Sequence, residues 1–68
     1  MSTLEFNNEI HNISTYLKPI ALGLTKDLED AQDLLQETAL KAISNRDKFR
    51  EGTNLKAWMY TIMKNIFI

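Results

Sequence analysis

The fold of the chain is inferred outward from one stretch, Phe49-Arg-Glu-Gly-Thr-Asn-Leu-Lys-Ala-Trp-Met-Tyr-Thr-Ile-Met-Lys-Asn65. It begins as a short basic loop and continues into an amphipathic helix. When each residue is advanced by 100°, the apolar residues fall on one side, which must face a core. These are Leu55, Trp58, Met59, Ile62 and Ile66. A second side carries Lys56, Tyr60, Lys64 and Phe67. A small polar strip between the two sides consists of Ala57, Thr61 and Asn65.

Lysines interleaved with aromatic rings are typical of a surface that binds single-stranded nucleic acid. Lysines neutralise phosphates, flat rings stack on bases, and Thr or Asn hydrogen-bonds to a base edge. The same pattern also fits an ordinary surface with Tyr60 and Phe67 packed at its margin, and Trp58 is expected to pack in the core. In the preceding loop, Phe49 fits either a binding surface or a plug for the core. Either Thr53 or Asn54 is expected to cap the helix.

The segment before this loop predicts an acidic amphipathic helix. Asp27 is its N-cap, acids occupy its first turn, and Ser44 and Asn45 end it. Like charges four residues apart, here Glu29, Asp33 and Glu37, weaken an isolated helix. This stripe is either a solvated face or a docking face for a basic partner helix. The predicted apolar face is Ala31, Leu34, Leu35, Thr38, Ala42 and Ile43.

A first helix is predicted after a loose start at Met1 to Glu5. Its apolar residues recur every three or four positions. Pro19 lies inside this pattern, so a kink or a break is expected near Tyr16–Lys18. The helix is expected to stop near Gly23 and Thr25. The apolar face is Phe6, Ile10, Ile13, Leu17, Ile20 and Leu24.

Length and composition limit the chain to one small domain of 68 residues. There is no cysteine, His11 is the single histidine, and no catalytic constellation or glycine-rich phosphate loop is present. We therefore expect no enzyme activity, no cofactor and no metal. No apolar run reaches the length of a membrane span and no secretory signal is visible, so a cytoplasmic location away from membranes is expected.

The net charge of −1 conceals an asymmetry between the two halves of the chain. Residues 1–40 carry two basic residues against seven acidic ones, whereas residues 41–68 carry six basic residues against two acidic ones. Such asymmetry indicates either two different partners or a chance segregation of surface charge.

Two segments on either side of the basic loop carry a family resemblance. They are Asp30-Ala-Gln-Asp-Leu-Leu-Gln-Glu-Thr-Ala-Leu-Lys-Ala42 and the Phe49–Asn65 stretch. Together they resemble region 2 of bacterial sigma factors of the sigma-70 family, particularly the small extracytoplasmic-function (ECF) type. The resemblance extends over roughly residues 10 to 68 and includes Pro19. It implies an all-α, three-helix domain whose first helix is kinked at that proline.

The resemblance also implies two partners and assigns residues to each. The second helix of the family docks on the β′ clamp helices of core RNA polymerase. The corresponding residues here are Asp33, Gln36, Glu37, Leu40 and Lys41. The loop and third helix of the family bind the non-template strand of the promoter −10 element as it melts. The corresponding DNA-binding residues are Asn45, Lys48, Phe49, Arg50, Thr53, Asn54, Lys56, Tyr60, Thr61, Ile62, Lys64 and Asn65. Among these, a pocket for one flipped base is implied at Asn45, Phe49, Ile62 and Asn65.

The chain departs from the family in three respects. Primary sigma factors wedge the duplex open with adjacent aromatic residues, whereas this chain has one tryptophan, which implies weaker melting. The basic stretch that follows Asn65 in the family and the region 4 domain, which reads the −35 element, are absent. Residues 1–68 are therefore expected to be a region 2 domain truncated in its last helix, unable alone to direct promoter-specific transcription.

An anti-sigma factor is a further partner that the resemblance implies. The alternative function is an interaction-only helical module that binds a protein helix, such as one from an anti-sigma factor, without contacting DNA. The basic and aromatic side of the third helix argues against that alternative.

Overall fold

The computed structural model describes residues 1–68 and confirms an all-α architecture of three helices. They are α1 (Thr3–Thr25), α2 (Leu28–Ser44) and α3 (Leu55–Phe67), with a 3-10 turn at Arg46–Lys48. Helices α1 and α2 form a hairpin around a two-residue connection and pack along much of their length. Helix α3 packs mainly against α2.

The helix ends follow local capping chemistry. The Asp27 carboxylate accepts a hydrogen bond from the Asp30 amide at 2.9 Å, which confirms the predicted N-cap of α2. At α3 the cap is Asn54, whose side-chain oxygen accepts from the Ala57 amide at 3.2 Å. Each such cap satisfies a backbone donor that has no partner within the helix.

The expected loose start at Met1 to Glu5 is wrong, because α1 already begins at Thr3. Ser2 and Glu5 form a capping box. The Ser2 hydroxyl accepts from the Glu5 amide at 3.1 Å, and the Glu5 carboxylate accepts from the Ser2 amide at 2.8 Å. These reciprocal bonds satisfy two exposed donors and fix the first turn.

Helix α1 runs through Pro19 without interruption, so the expected break near Tyr16–Lys18 does not occur. The kink stays a prediction. Pro19 has no amide hydrogen for the carbonyl of Thr15, but Thr15 is exposed, where water can hydrate that oxygen. Leu17 and Ala21 on either side of the proline are buried. Their packing maintains the helix against its low local propensity.

The core is made of one stripe from each helix, with three corrections to the predicted faces. Ile20 is 37% exposed, and Ala21 is buried instead, because four residues are closer than three to a full turn of 3.6. Ile43 is 43% exposed at the margin of the α1–α2 groove. In α3, Met63 is fully buried, whereas Trp58, Ile62 and Ile66 are half-buried. The buried apolar residues are Phe6, Ile10, Ile13, Leu17, Ala21, Ala31, Leu34, Ala42, Leu55, Met59 and Met63.

Candidate nucleic-acid interface

An open cleft of about 330 Å³ lies between the end of α2, the 3-10 turn and α3. Its volume is at the lower end of the range of about 300–1,000 Å³ for small-molecule sites. The cleft contains three of the four residues expected to line a base pocket, namely Asn45, Ile62 and Asn65. Its full lining is Lys41, Asn45, Lys48, Trp58, Ile62, Asn65 and Ile66.

The fourth expected residue, Phe49, does not line the cleft but packs behind one of its walls. Its ring centroid lies 5.2 Å from that of Trp58 and 6.1 Å from that of Phe6. Phe6 and Trp58 are also in edge contact, at 6.5 Å. Such tilted and edge-on pairs each contribute about 0.5–1.5 kcal/mol beyond area burial. Phe49 therefore plugs the core from the loop and supports Trp58, which lines the cleft.

The polar side chains of the cleft differ in whether they already form hydrogen bonds or ion pairs within the protein. The Asn45 side-chain amide donates to the Lys41 carbonyl at 2.8 Å, where Asn45 also ends α2. Asn65 is exposed, and its side-chain amide makes no hydrogen bond within the protein. Lys41 and Lys48 are exposed, and neither forms an ion pair. The cleft thus combines two half-buried apolar walls, Trp58 and Ile62, with an unused amide and two free ammonium groups.

The loop before α3 holds several of the expected DNA-binding residues through internal hydrogen bonds. Gly52 has a φ of 89°, which favours glycine, and the turn closes from the Thr53 amide to the Arg50 carbonyl at 3.2 Å. The Thr53 hydroxyl donates to the same carbonyl at 2.6 Å. The Thr61 hydroxyl likewise donates to the Ala57 carbonyl, at 3.0 Å. These side chains therefore shape the backbone, whereas the guanidinium of Arg50 stays exposed and unpaired.

Arg46 has a structural role that the sequence did not indicate. Its guanidinium carbon lies 5.0 Å from the ring centroid of Phe6. Its nitrogens donate to the Thr3 hydroxyl at 2.9 Å and to the Met1 carbonyl. Because Arg46 begins the 3-10 turn, these contacts connect the edge of the cleft to the first turn of α1. Contacts between positions this far apart in the chain leave no local sequence signal.

The basic and aromatic side of α3 is exposed, as expected, and one further aromatic residue joins it from α1. The Lys56 ammonium lies 3.8 Å from the ring centroid of Tyr16, and the Lys64 ammonium lies 5.4 Å from that of Tyr60. Tyr16 is 58% exposed. It was absent from the expected site because it lies off the apolar face of α1 and distant in sequence from α3.

Comparison with known protein families matches residues 10–68 to Sigma-70 region 2. The chain belongs to this family. An ECF RNA polymerase sigma factor, EcfG of Rhodopseudomonas palustris, is 45% identical over 51 residues, which cover 75% of this chain and 28% of that protein. RNA polymerase sigma factor YlaC of Bacillus subtilis is 41% identical over 44 residues, covering 65% of this chain and 25% of that protein. The chain thus spans about a quarter of each relative's length, and no solved structure was found to match.

Membership of the sigma-70 region 2 family agrees with the expectation that the chain is not an enzyme, because sigma factors are non-enzymatic. It also accounts for the two long motifs around the basic loop, which lie within the matched residues. None of the three helices is both long and apolar enough to span a bilayer.

Helix α2 of this sigma-70 region 2 domain presents the residues expected to bind polymerase. Asp33, Gln36 and Glu37 are exposed, and Leu40 is 62% exposed. No ion pair engages either carboxylate. Lys41, the fifth expected residue, lies in the lining of the cleft as well. The candidate docking surface and the candidate nucleic-acid cleft therefore meet at Lys41.

Proposed function

We propose that this chain is the region 2 module of an ECF-type sigma factor that acts in the cytoplasm during transcription initiation. Helix α2 binds core RNA polymerase, and the loop and α3 recognise the non-template strand of the −10 element and help to melt it. The observation that carries this proposal is the cleft, where Asn45, Ile62 and Asn65 meet beside two unpaired lysines.

The chemistry of the cleft suits one unstacked base. Taking a base out of the duplex costs a few kcal/mol, and contacts in the pocket must compensate for that cost. Trp58 and Ile62 offer apolar surface to the base, and Asn65 offers an amide that both donates and accepts. Lys41 and Lys48 at the same cleft neutralise the flanking phosphates. These groups match the general requirements for holding a single strand.

The exposed surface of α2 fits a basic helical partner. It combines the carboxylates of Asp33 and Glu37 with the apolar side chain of Leu40, and none of these has a partner within the domain. The proposal therefore requires a basic patch on the polymerase β′ clamp helices, which would complement this surface in charge. An anti-sigma factor that covers the same surface would block polymerase binding.

The proposal is tested by fluorescence anisotropy with labelled non-template −10 strands, in the presence of a polymerase β′ clamp-helix fragment. Asn65→Ala is expected to weaken binding of the preferred strand by about 5- to 100-fold, corresponding to about 1–3 kcal/mol for a specific base contact. Asn8→Ala is the matched control, because Asn8 is an exposed asparagine on α1 with no side-chain hydrogen bond.

Sequence-selective strand binding that Asn65→Ala weakens and Asn8→Ala does not would support the proposal. Binding of the clamp-helix fragment without any selective strand binding would reject the DNA-binding half and favour the interaction-only module. A folded protein that binds neither partner would reject both halves of the proposal.

A further inference from the structure

The 3-10 turn between α2 and α3 forms one edge of the cleft, and its side chains divide into two pairs with different neighbours. Residues three apart lie on the same side of a 3-10 helix. Asn45 and Lys48 both line the cleft. Arg46 and Phe49 both contact the ring of Phe6 on α1, at 5.0 Å from the guanidinium carbon and 6.1 Å between the ring centroids. The turn is therefore held against α1 by one pair and faces the cleft with the other.

The backbone of the turn couples the two pairs. The Lys48 amide donates to the Asn45 carbonyl at 2.9 Å, and the Phe49 amide donates to the Arg46 carbonyl at 3.0 Å. The two hydrogen-bonded loops overlap, so a displacement of Arg46 also displaces the residues on the cleft side. A single turn of 3-10 helix has little stability of its own. Its position at the edge of the cleft thus depends on contacts with the rest of the domain.

Arg46 supplies the polar part of those contacts. Its guanidinium donates to the Thr3 hydroxyl at 2.9 Å and to the Met1 carbonyl, while it lies against the ring of Phe6. A planar guanidinium with two acceptors and an aromatic ring as neighbours is fixed in direction as well as in distance. Lys48, by contrast, is exposed and forms no ion pair. The place of its ammonium group is set by the backbone that carries it.

We propose that Arg46 is a positioning residue for strand binding, which holds the 3-10 turn against α1 so that Lys48 meets the phosphate beside the base in the cleft. This inference rests on the proposed function of the cleft. It gives Thr3 and Phe6, at the start of α1, a role in strand binding without any contact with the strand. Loss of Arg46 then removes the contribution of Lys48 but not that of Asn65, which α3 carries.

The test is a double-mutant cycle between Arg46→Ala and Lys48→Ala. Affinity for the preferred −10 strand is measured over a range of salt concentrations, with the clamp-helix fragment at saturation. Lys48→Ala should lower the salt dependence by about 0.7, which corresponds to about a 5-fold loss at 0.1 M salt. Arg46→Ala should have the same effect, and the double variant should bind no more weakly than either single one. Asn65→Ala should cost as much in the Arg46→Ala background as in wild type.

Two comparisons separate positioning from direct contact with a phosphate. Arg50 is an exposed arginine in the same loop without an ion pair, so the effect of Arg50→Ala should add to that of Lys48→Ala. Thr3→Val removes the hydroxyl acceptor of Arg46 and keeps the charge of the arginine. It should reduce the cost of Lys48→Ala. Thr15→Val is its matched control, because Thr15 is an exposed threonine of α1 whose hydroxyl donates within that helix, to the His11 carbonyl.

Additive losses from Arg46→Ala and Lys48→Ala would mean that Arg46 itself contacts a phosphate, and the inference would be wrong. It would also be wrong if either substitution left strand affinity unchanged while Asn65→Ala lowered it, in which case the proposed function stands. Circular dichroism checks that each variant is folded. If Arg46→Ala is not, Thr3→Val decides, and an undiminished cost of Lys48→Ala in that background rejects the inference. If wild type binds no strand selectively, the proposed function and this inference both fail.

Discussion

At the scale of single residues, Arg46 connects the nucleic-acid side of the domain to the start of α1. Arg46→Ala removes the hydrogen bond to the Thr3 hydroxyl, the bond to the Met1 carbonyl and the contact with the Phe6 ring. We expect the free energy of unfolding to fall by about 1–2 kcal/mol, as for a lost charged hydrogen bond and cation–π contact. Urea denaturation followed by circular dichroism measures this change.

Arg50→Ala is the matched control for that prediction, because Arg50 is an exposed arginine in the same loop whose side chain contacts no partner. Its stability should stay within about 0.5 kcal/mol of wild type. Equal destabilisation by the two substitutions would show that the contacts of Arg46 with α1 contribute nothing specific.

The side chains in and around the cleft differ in how well the sequence predicts their positions. Asn45, Ile62 and Asn65 were placed together by the family resemblance, and the structure brings them into one cleft. The sequence is compatible with Phe49 either in a binding surface or as a plug for the core, and the structure shows it packed against Phe6 and Trp58. The contacts of Arg46 and Tyr16 are not predictable from the sequence, because each joins segments far apart in the chain. Such contacts depend on how the helices pack, which periodicity within one helix does not determine.

At the scale of helices, α1 contains a proline in its interior, although proline has a very low helix propensity. Pro19 is exposed in the interior of α1, where proline is about 3 kcal/mol less favourable than alanine. Pro19→Ala supplies the missing amide donor to the Thr15 carbonyl, so we expect thermal and urea stability to rise by about 1–3 kcal/mol. Lys18→Ala, one position earlier on the exposed surface, is the control and should change stability little. An unchanged or lower stability of Pro19→Ala would contradict this prediction and would mean that the packing of α1 depends on the proline.

The stability that the Ser2–Glu5 capping box contributes at the start of α1 depends on pH. Hydrogen bonds from the backbone and side chain of Ser2 lower the pKa of Glu5 below its ordinary value of 4.5. A lowered folded pKa means that the unfolded chain binds the proton more readily, so the stabilisation is present above the ordinary value. It is lost as the pH falls through the lower, folded value. Because glutamine also completes a capping box but does not titrate, Glu5→Gln should lose less stability than wild type over this acidic range. Parallel acid dependence of urea midpoints in the two proteins would contradict the assignment.

The number and order of the helices and the N-cap of α2 are predictable, because the 3.6-residue periodicity and Asp27 are local signals. Which residues of each helix face the core is less predictable. Ala21 and Met63 are fully buried, whereas their neighbours Ile20 and Ile62 were expected to be, since hydrophobicity alone does not fix which of two neighbouring apolar positions faces the partner helix. The start of α1 at Thr3 depends on the Ser2–Glu5 capping box, a short signal that lies before the apolar periodicity of the helix begins.

At the scale of the whole molecule, charge divides the domain into two surfaces. Asp33 and Glu37 lie on α2 without basic partners, and Lys56 and Lys64 lie on α3 without acidic ones. The two surfaces belong to helices that pack directly against each other. The central claim is that they bind two different partners, a protein helix and a single strand.

The most direct test compares the double substitutions Lys56→Gln/Lys64→Gln and Asp33→Asn/Glu37→Gln. Affinity is measured for the clamp-helix fragment alone and for the −10 strand at a saturating concentration of that fragment. We predict that the lysine pair weakens strand binding, lowers its salt dependence by about 0.7 per lost phosphate contact and leaves clamp-helix affinity unchanged. The acidic pair should weaken clamp-helix binding and spare the strand. If either pair affected both partners equally, or if neither pair affected any partner, the two-surface account would be contradicted.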